Sequence, residues 1–547
     1  MDFDERYRND VIQYAIEKYG QDRVAHIVTF ATIKAKQAIR DAARVLGLPF
    51  SSGDRVAKLM PPMILGNTAT ISECLSLDEE NTSGYSKEFY SASEELRKQY
   101  KNDEEAKQII DIALGLEGLR RQDGIHAAAI VISPDTITKF LPIQQKGSNA
   151  EIVTQYEMHT VEQLGLLKMD FLGLRNLSIV DRTLELIGSE SLDIDNLKLD
   201  DEKTFKLFAE GKMTGVFQLE SRVAQSTSRS LKPKRFEDIV ALVALIRPGP
   251  LGAGMHNEFA DRANNRKEIE YLHNDLESIL NETYGVILYQ EQVMQIAEKI
   301  AGFNLQEADN LRVAMGKKIP KVMEEQRKKF TDGAVSNNYS EQFAIELFDQ
   351  IAYFAGYGFN KSHSVPYALL AYQTAYLKAN YPAEYIAACL TAVKRDKDRT
   401  AIFLSEARDM GVKVSTPDIN LSSSDFTVND NEILFGLSAV RNVGDITADK
   451  IVLERESNGH FESIEDFLSR IDSRSLNKRG VEALIQGGGL DKFGLTRKGM
   501  FDSAIELIEN AKELKANKEN NQGSLFEMED SNSCLLYTSD AADEVDR

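Results

Sequence analysis

Cysteine is nearly missing from this chain: three in 547 residues, Cys74, Cys389 and Cys534, far apart and odd in number. That argues against a disulfide framework and for a reducing, cytoplasmic setting. Long apolar runs are missing as well. None reaches the roughly 18 residues that would span a bilayer, so no membrane partner is expected. The opening MDFDERYRND is charged from its second residue, and no secretory leader is expected. Metal signatures are scarce too. The seven histidines, His26, His126, His159, His256, His273, His363 and His460, form no HxH or HExxH arrangement, and the cysteines no CxxC, which makes a zinc site a poor reading. No GxxxxGK(S/T) occurs, so a P-loop is excluded.

What is present is a large, charged, globular composition. Apolar residues make up 42% and charged residues 28%. At roughly 100–200 residues per domain, the length predicts about three to five domains. The formal net charge of −21 argues against uniform coating of nucleic acid. Charge is unevenly placed, however. Leu311–Phe330 holds seven bases and two acids, whereas Ala516–Arg547 holds eight acids and two bases. The basic stretch could meet phosphates or be a solvated helix face.

Residues 5–47 read as helix, strand, helix, with Gly20 as a C-cap and VAHIVTF as the strand. Residues 48–118 read as polar and helical. AAAIVIS and GLLKMDFLGL look like buried strands. From about 179 to 420 the pattern is helical with glycine-rich turns. Residues 426–495 form a smaller unit, and the chain after about Asn510 is polar enough for a flexible tail. The final CLLYTSDAADEVDR, 534–547, looks like a translated library adapter and is set aside.

Asp170 stands out as a carboxylate in the apolar run GLLKMDFLGLRNL. A buried charge needs a partner, and a hard cation would suit it. From spacing alone a structural or capping carboxylate is the commoner case. AGYGFNKSHS places Tyr357, Asn360, Lys361 and His363 around flexible backbone. RVAMGKK adds Arg312, Lys317 and Lys318. Together these could hold a nucleoside triphosphate, arginine by its fork and lysine as a point charge. NVGDITADKIV fits a helix-hairpin-helix, with Asn442, Val443, Gly444 and Lys450 as DNA contacts and Ala448, Ile451 and Val452 packing the second helix. In QGSLF, Gln522, Leu525 and Phe526 could dock in a groove as a short peptide.

These segments, in this order, resemble one family: the alpha subunit of bacterial DNA polymerase III, a C-family replicative polymerase. The resemblance runs from Met1 to about residue 530. It is carried by DFDERYRNDVI, VTFATIKAKQAIRDAARVLG, RRQDGIHAAAIVI, IVTQYEMH, GLLKMDFLGLRNL, GVFQLES, ALVALIRPGPL, YGVILYQEQVMQIA, LRVAMGKK and GYGFNKSHSVPYALLAYQTAYLKANYPAE. The wording QDGIHAAAIVI is most similar to the actinobacterial branch. The resemblance implies an α+β, mostly helical, multidomain fold. A partial palm would occupy 1–32 and 119–178, a thumb 33–118, fingers 179–425, a helix-hairpin-helix and clamp-binding domain 426–515, and a tail 516–533. It implies template-directed addition of dNMP to a primer 3′ end with two Mg²⁺ ions.

By the same resemblance Asp170 is a palm metal ligand and Lys168, on the same strand face, approaches phosphate. Arg312, Lys317, Tyr357, Asn360 and His363 match the nucleotide-receiving surface of the fingers. QGSLF matches the family's clamp-binding peptide. Expected partners are primer–template DNA, dNTP, the beta sliding clamp and other holoenzyme subunits; the tau and proofreading subunits bind regions not represented here. Two departures stand. Register on the family's first catalytic motif puts Asp2 on its third aspartate, so the expectation is that its two ligand aspartates lie before Met1 and that this piece, an internal fragment, does not polymerise. Second, Arg312 is followed by Val313 where many members carry a second arginine. An error-prone paralogue and a non-catalytic DNA- and clamp-binding module are the competing readings.

Overall fold

The computed structural model describes residues 1–63, 68–76, 86–147, 151–188, 192–317, 320–355, 358–472 and 475–519. The chain divides into two compact units, Met1–Arg175 and Asn176–Arg547. The class is α+β with helix predominating, as expected.

The first unit is organised by strands rich in valine, isoleucine and alanine. β1 is Asp2–Asp4, β2 Val24–Thr32, β3 Arg120–Ile132, β4 Ile143–Lys146, β5 Glu151–Thr154, β6 Leu167–Asp170 and β7 Leu172–Leu174. Five of them form one mixed sheet in the order β4-β5-β2-β3-β6, and β1 pairs in parallel with β7. Side chains alternate along a strand. Ala25, Ile27, Ala129 and Val131 therefore pack one face with Val161 and Leu166. Val24 and Ile130 pack the other with Phe171 and with Ile12 and Ala15 of the helix Arg8–Tyr19. That helix ends at Gly20, whose φ of 106° few other residues adopt.

Between β2 and β3 the chain makes helices from Ala35 to Leu116 around a core of their own, which includes Ile39, Val56, Phe89 and Ile110. The leading helix, Ala35–Val45, buries Ala38, Ile39, Ala42 and Ala43, a single helical face. The β2–β3 pairing slips in its middle: His26 opposes Ile130, but Val28 opposes Ile125. The surplus residues of β3 form an irregular bulge opposite Ile27. Gly124 lies beside it, where a Cβ would come 2.8 Å from Thr29 Oγ1.

The second unit is built of helices. Phe236–Leu245 is buried all round from Asp238 onward and packs on the long helix Lys361–Asn380, which places both in the middle of one core. A second core joins the helices Gln290–Ala301, Leu305–Lys317, Pro320–Ser336 and Glu341–Ala355. A third, around Ile451, Phe467 and Leu484, belongs to the helices after residue 444. A small sheet precedes it: β8 Lys413–Val414, β9 Thr427–Asn429 and β10 Glu432–Leu434, in the order β8-β10-β9. Among the described residues no helix is long and apolar enough to cross a membrane. Cys74 and Cys389 are buried and free.

Candidate functional site

β6 runs antiparallel to β3, with Lys168 opposite Val131 and Asp170 opposite Ala129. The two polar residues share a face because they are two apart. Lys168 Nζ lies 2.8 Å from Asp170 Oδ2 and 3.9 Å from Glu162 Oε1. The expectation of a buried carboxylate is corrected here. Asp170 ends its strand with 49% of its side chain exposed, so water solvates the charge and burial alone does not demand a cation. It is Lys168, 17% exposed, that is the more enclosed of the two.

The strand opposite Asp170 is held by a residue that sequence reasoning passed over. His126 Nδ1 accepts from the N–H groups of Ala128 and Ala129, at 3.2 and 2.9 Å, inside the bulge. The Phe171 N–H in turn donates to the Ala128 carbonyl. The adjacent Gly124 and His126 in DGIHAAA were the available signal. On the other side β1 sets Asp2 against Leu172 and Asp4 against Leu174, and the Met1 amine donates to the Asp170 carbonyl at 2.8 Å. Asp4 is held by Arg6 at 2.6 Å. Among the described residues no three His, Cys, Asp or Glu side chains gather as a metal site.

In the second unit, Asn360 caps the helix Lys361–Asn380: its Oδ1 accepts from the His363 N–H at 3.0 Å. The Glu291 carboxylate accepts from the Lys361 N–H at 3.0 Å to each oxygen. Lys361 Nζ pairs with Glu282 at 2.7 Å. An internal carboxylate thus takes the place at this helix N-terminus where an anion would bind. His363 is exposed and its ring lies 4.3 Å from that of Tyr367 and 5.6 Å from that of Phe359. Arg247 lies over the Phe359 ring at 4.2 Å and is half-buried, which lowers its pKa. It joins this group from the N-cap of the short helix Pro248–Gly252, where the sequence suggests only a glycine-rich turn and no role for the arginine.

Arg312 lies in Leu305–Lys317 and pairs with Asp309 at 2.8 Å. Among the described residues no hydrogen bond or ion pair joins it to the Asn360–His363 group. Lys317 ends that helix. Lys318 and Tyr357 lie outside the described residues. Much of the basic stretch is neutralised locally: Lys329 pairs with Glu307 at 2.8 Å, and Arg327 pairs with Asp349.

The hairpin expected at NVGDITADKIV is present in modified form. Its second helix is Asp445–Asn458, N-capped by Gly444, with Ala448 and Ile451 buried and Val452 partly so. The element before it is a 3₁₀ turn, Leu437–Ala439. Asn442 is exposed with φ 63°. Val443 is buried and its N–H donates to the Val440 carbonyl, so neither its side chain nor that N–H faces outward. Lys450 is exposed and reaches Ser475 Oγ at 2.7 Å. Asp445 is held by Lys394 at 2.5 Å and by Arg395, which keep its carboxyl below the usual carboxylate range. Gln522, Leu525 and Phe526 lie outside the described residues.

Family models match along most of this chain. Residues 1–173 match the bacterial DNA polymerase III alpha NTPase domain and residues 176–338 the bacterial DNA polymerase III alpha subunit finger domain. The chain belongs to the bacterial DNA polymerase III alpha subunit family. Residues 411–500 match a helix-hairpin-helix motif. Among curated relatives, the DNA polymerase III subunit alpha of Saccharopolyspora erythraea is 43% identical over 94% of this chain and 44% of its own length. That of Thermus aquaticus is 44% identical over 90% of this chain and 40% of its own, and that of Escherichia coli K12 42% over 93% and 44%. The chain therefore spans less than half the length of these relatives.

Proposed function

We propose that this segment belongs to the catalytic subunit of a cytoplasmic replicative polymerase that adds dNMP to a primer 3′ end on a DNA template. The observation that carries the proposal is the Lys168–Asp170 pair. It is a solvent-open carboxylate with an ammonium 2.8 Å away, set at the end of β6 by the sheet and by the His126-held bulge. Asp170 Oδ1 has no partner among the described residues and offers a hard oxygen donor. Lys168 would balance negative charge on an incoming phosphate.

A pair of magnesium ions needs more carboxylate oxygens than Asp170 supplies. Among the described residues no group of three acidic or other ligating side chains gathers around it, so these residues by themselves do not fit that pair of ions. What they do supply is position: β3 and β6 fix the carboxylate and the ammonium on one face.

In this proposal the sheet and its helical insertion correspond to palm and thumb, and the helices to about residue 425 to fingers. His363 and Arg247 are the side chains around Phe359 that face a nucleotide, while Asn360 and Lys361 shape the backbone beneath them. Asn442, Gly444 and Lys450 contact duplex DNA, and QGSLF contacts the sliding clamp.

Fluorescence anisotropy with a labelled primer–template should give saturable binding that weakens steeply with salt. In a full-length protein carrying this segment, Asp170→Asn should abolish primer extension and leave DNA affinity within about twofold, since one surface carboxylate contributes little to phosphate contacts. Unimpaired extension by that variant, or no salt-dependent DNA binding by the chain, overturns the proposal.

A further inference from the structure

One cleft of the second unit is lined by neither Asp170 nor Phe359. It has a volume of about 840 Å³ and is bordered by the helix Lys397–Asp409, the strand β8, the turn before the hairpin and the helix Lys478–Gly487. Three arginines line it, one from each helix and one from the turn: Arg408, Arg479 and Arg441. All three are exposed.

In pairing they differ from neighbouring arginines. Arg399, Arg470 and Arg497, close by in sequence, each hold a carboxylate at 3.0, 2.9 and 2.5 Å. No ion pair or hydrogen bond to a side chain engages the guanidinium groups of Arg408, Arg441 or Arg479 among the described residues. The one other cation of the cleft, Lys413, is paired with Glu432 at 3.0 Å. Its one acid, Glu482, faces Lys478 at 3.5 Å. The balance inside the cleft is strongly positive.

Its floor is apolar. Val412 and Val440 are buried, and Phe435 packs partly buried against the hairpin core. A site with an apolar floor and a few charged groups, of a size within the roughly 300–1,000 Å³ typical of small-molecule pockets, is the usual form of a ligand site.

We propose that this cleft binds a nucleoside polyphosphate, with the phosphates on Arg408, Arg441 and Arg479 and the base on the Val412–Phe435–Val440 floor. Guanidinium forks match phosphate oxygens two at a time, and three of them suit a short polyphosphate that concentrates several charges. A DNA duplex brings phosphates but keeps its bases stacked inside, so it leaves the apolar floor unfilled. An acidic peptide spreads its carboxylates along about 3.3 Å per residue and matches three clustered guanidinium groups less well. The proposal does not depend on the polymerase reading.

The test is titration of the whole chain with the fluorescent nucleotide mant-ATP. Binding should saturate, and inorganic tripolyphosphate should compete. Arg441→Ala with Arg479→Ala should weaken binding by at least about tenfold, the value of one lost charged hydrogen bond. Arg479→Lys should fall between, because it keeps charge and loses the fork. Absence of saturable binding overturns the proposal. So does binding that His363→Ala abolishes and the arginine variants spare, which would move the site to Phe359. Displacement by a peptide of residues 522–530 or by blunt duplex, with no displacement by tripolyphosphate, overturns it as well.

Discussion

Lys378 sits near the end of the helix Lys361–Asn380 with 1% of its side chain exposed. Its ammonium donates to the carbonyls of Lys212 at 2.7 Å and Thr214 at 2.8 Å and to Glu406 Oε1 at 2.6 Å. Burial pulls its pKa below the ordinary lysine value, and Glu406 pushes the other way. Replacing Glu406 with alanine leaves the ammonium buried without a counter-charge, which costs about 3–5 kcal/mol. Replacing Lys378 with methionine keeps the volume and removes the desolvated charge. Glu406, 14% exposed, can then turn to water, but two carbonyls lose their donor at about 1–3 kcal/mol each. Relief of lysine desolvation offsets part of that, so about 2–3 kcal/mol remains. The double variant Lys378→Met with Glu406→Ala holds no charge and the same two bare carbonyls, and should again lose about 2–3 kcal/mol. The double loss is then smaller than the sum of the single losses by about 3 kcal/mol or more. Urea unfolding read by hydrogen exchange in Lys361–Asn380 measures each value. Additivity within about 0.5 kcal/mol would refute the buried ion pair as the linking element.

Two more outcomes follow from single residues. Asn360→Ala removes the cap of the same helix and should lower stability by about 1 kcal/mol in a thermal melt; an unchanged melt would show that Asn360 is not acting as a cap. Gly333→Ala should gain about 1 kcal/mol from helix propensity, yet its methyl would run into the Ala301 carbonyl oxygen, and the overpacking of about 1–3 kcal/mol or more should win, giving a lower melting temperature. A raised melting temperature would contradict that close approach.

Local structure was legible wherever one period ruled. The pattern of residues 5–47 marked helix, strand and helix, and the structure has the helices Arg8–Tyr19 and Ala35–Val45 on either side of the strand Val24–Thr32 in the chain. Lys168 and Asp170 were placed on one face by the alternation of a strand, and their 2.8 Å pair agrees. Exposure was not legible. The apolar neighbours of Asp170 suggested burial, but they point to the other face or lie beyond the strand end, and the carboxylate meets water. Chain distance hid the rest. Glu291 is 70 residues from Lys361, yet it accepts that residue's N–H and changes how the loop can meet an anion. The hairpin was legible from Gly444, Ala448 and Ile451, but the 3₁₀ turn in place of a first helix was not, since so short an element has no period to read.

The sequence by itself determined the family, the helical and strand segments and the face shared by Lys168 and Asp170, because each rests on residues close in the chain. Only the tertiary structure decided which of the named polar groups remain available. It tied Asn360, Lys361 and Arg312 to internal partners, and among the described residues it left Arg408, Arg441 and Arg479 unpaired around one cleft. An ion pair depends on which carboxylate arrives within about 4 Å, and that is set by the packing of elements far apart in sequence.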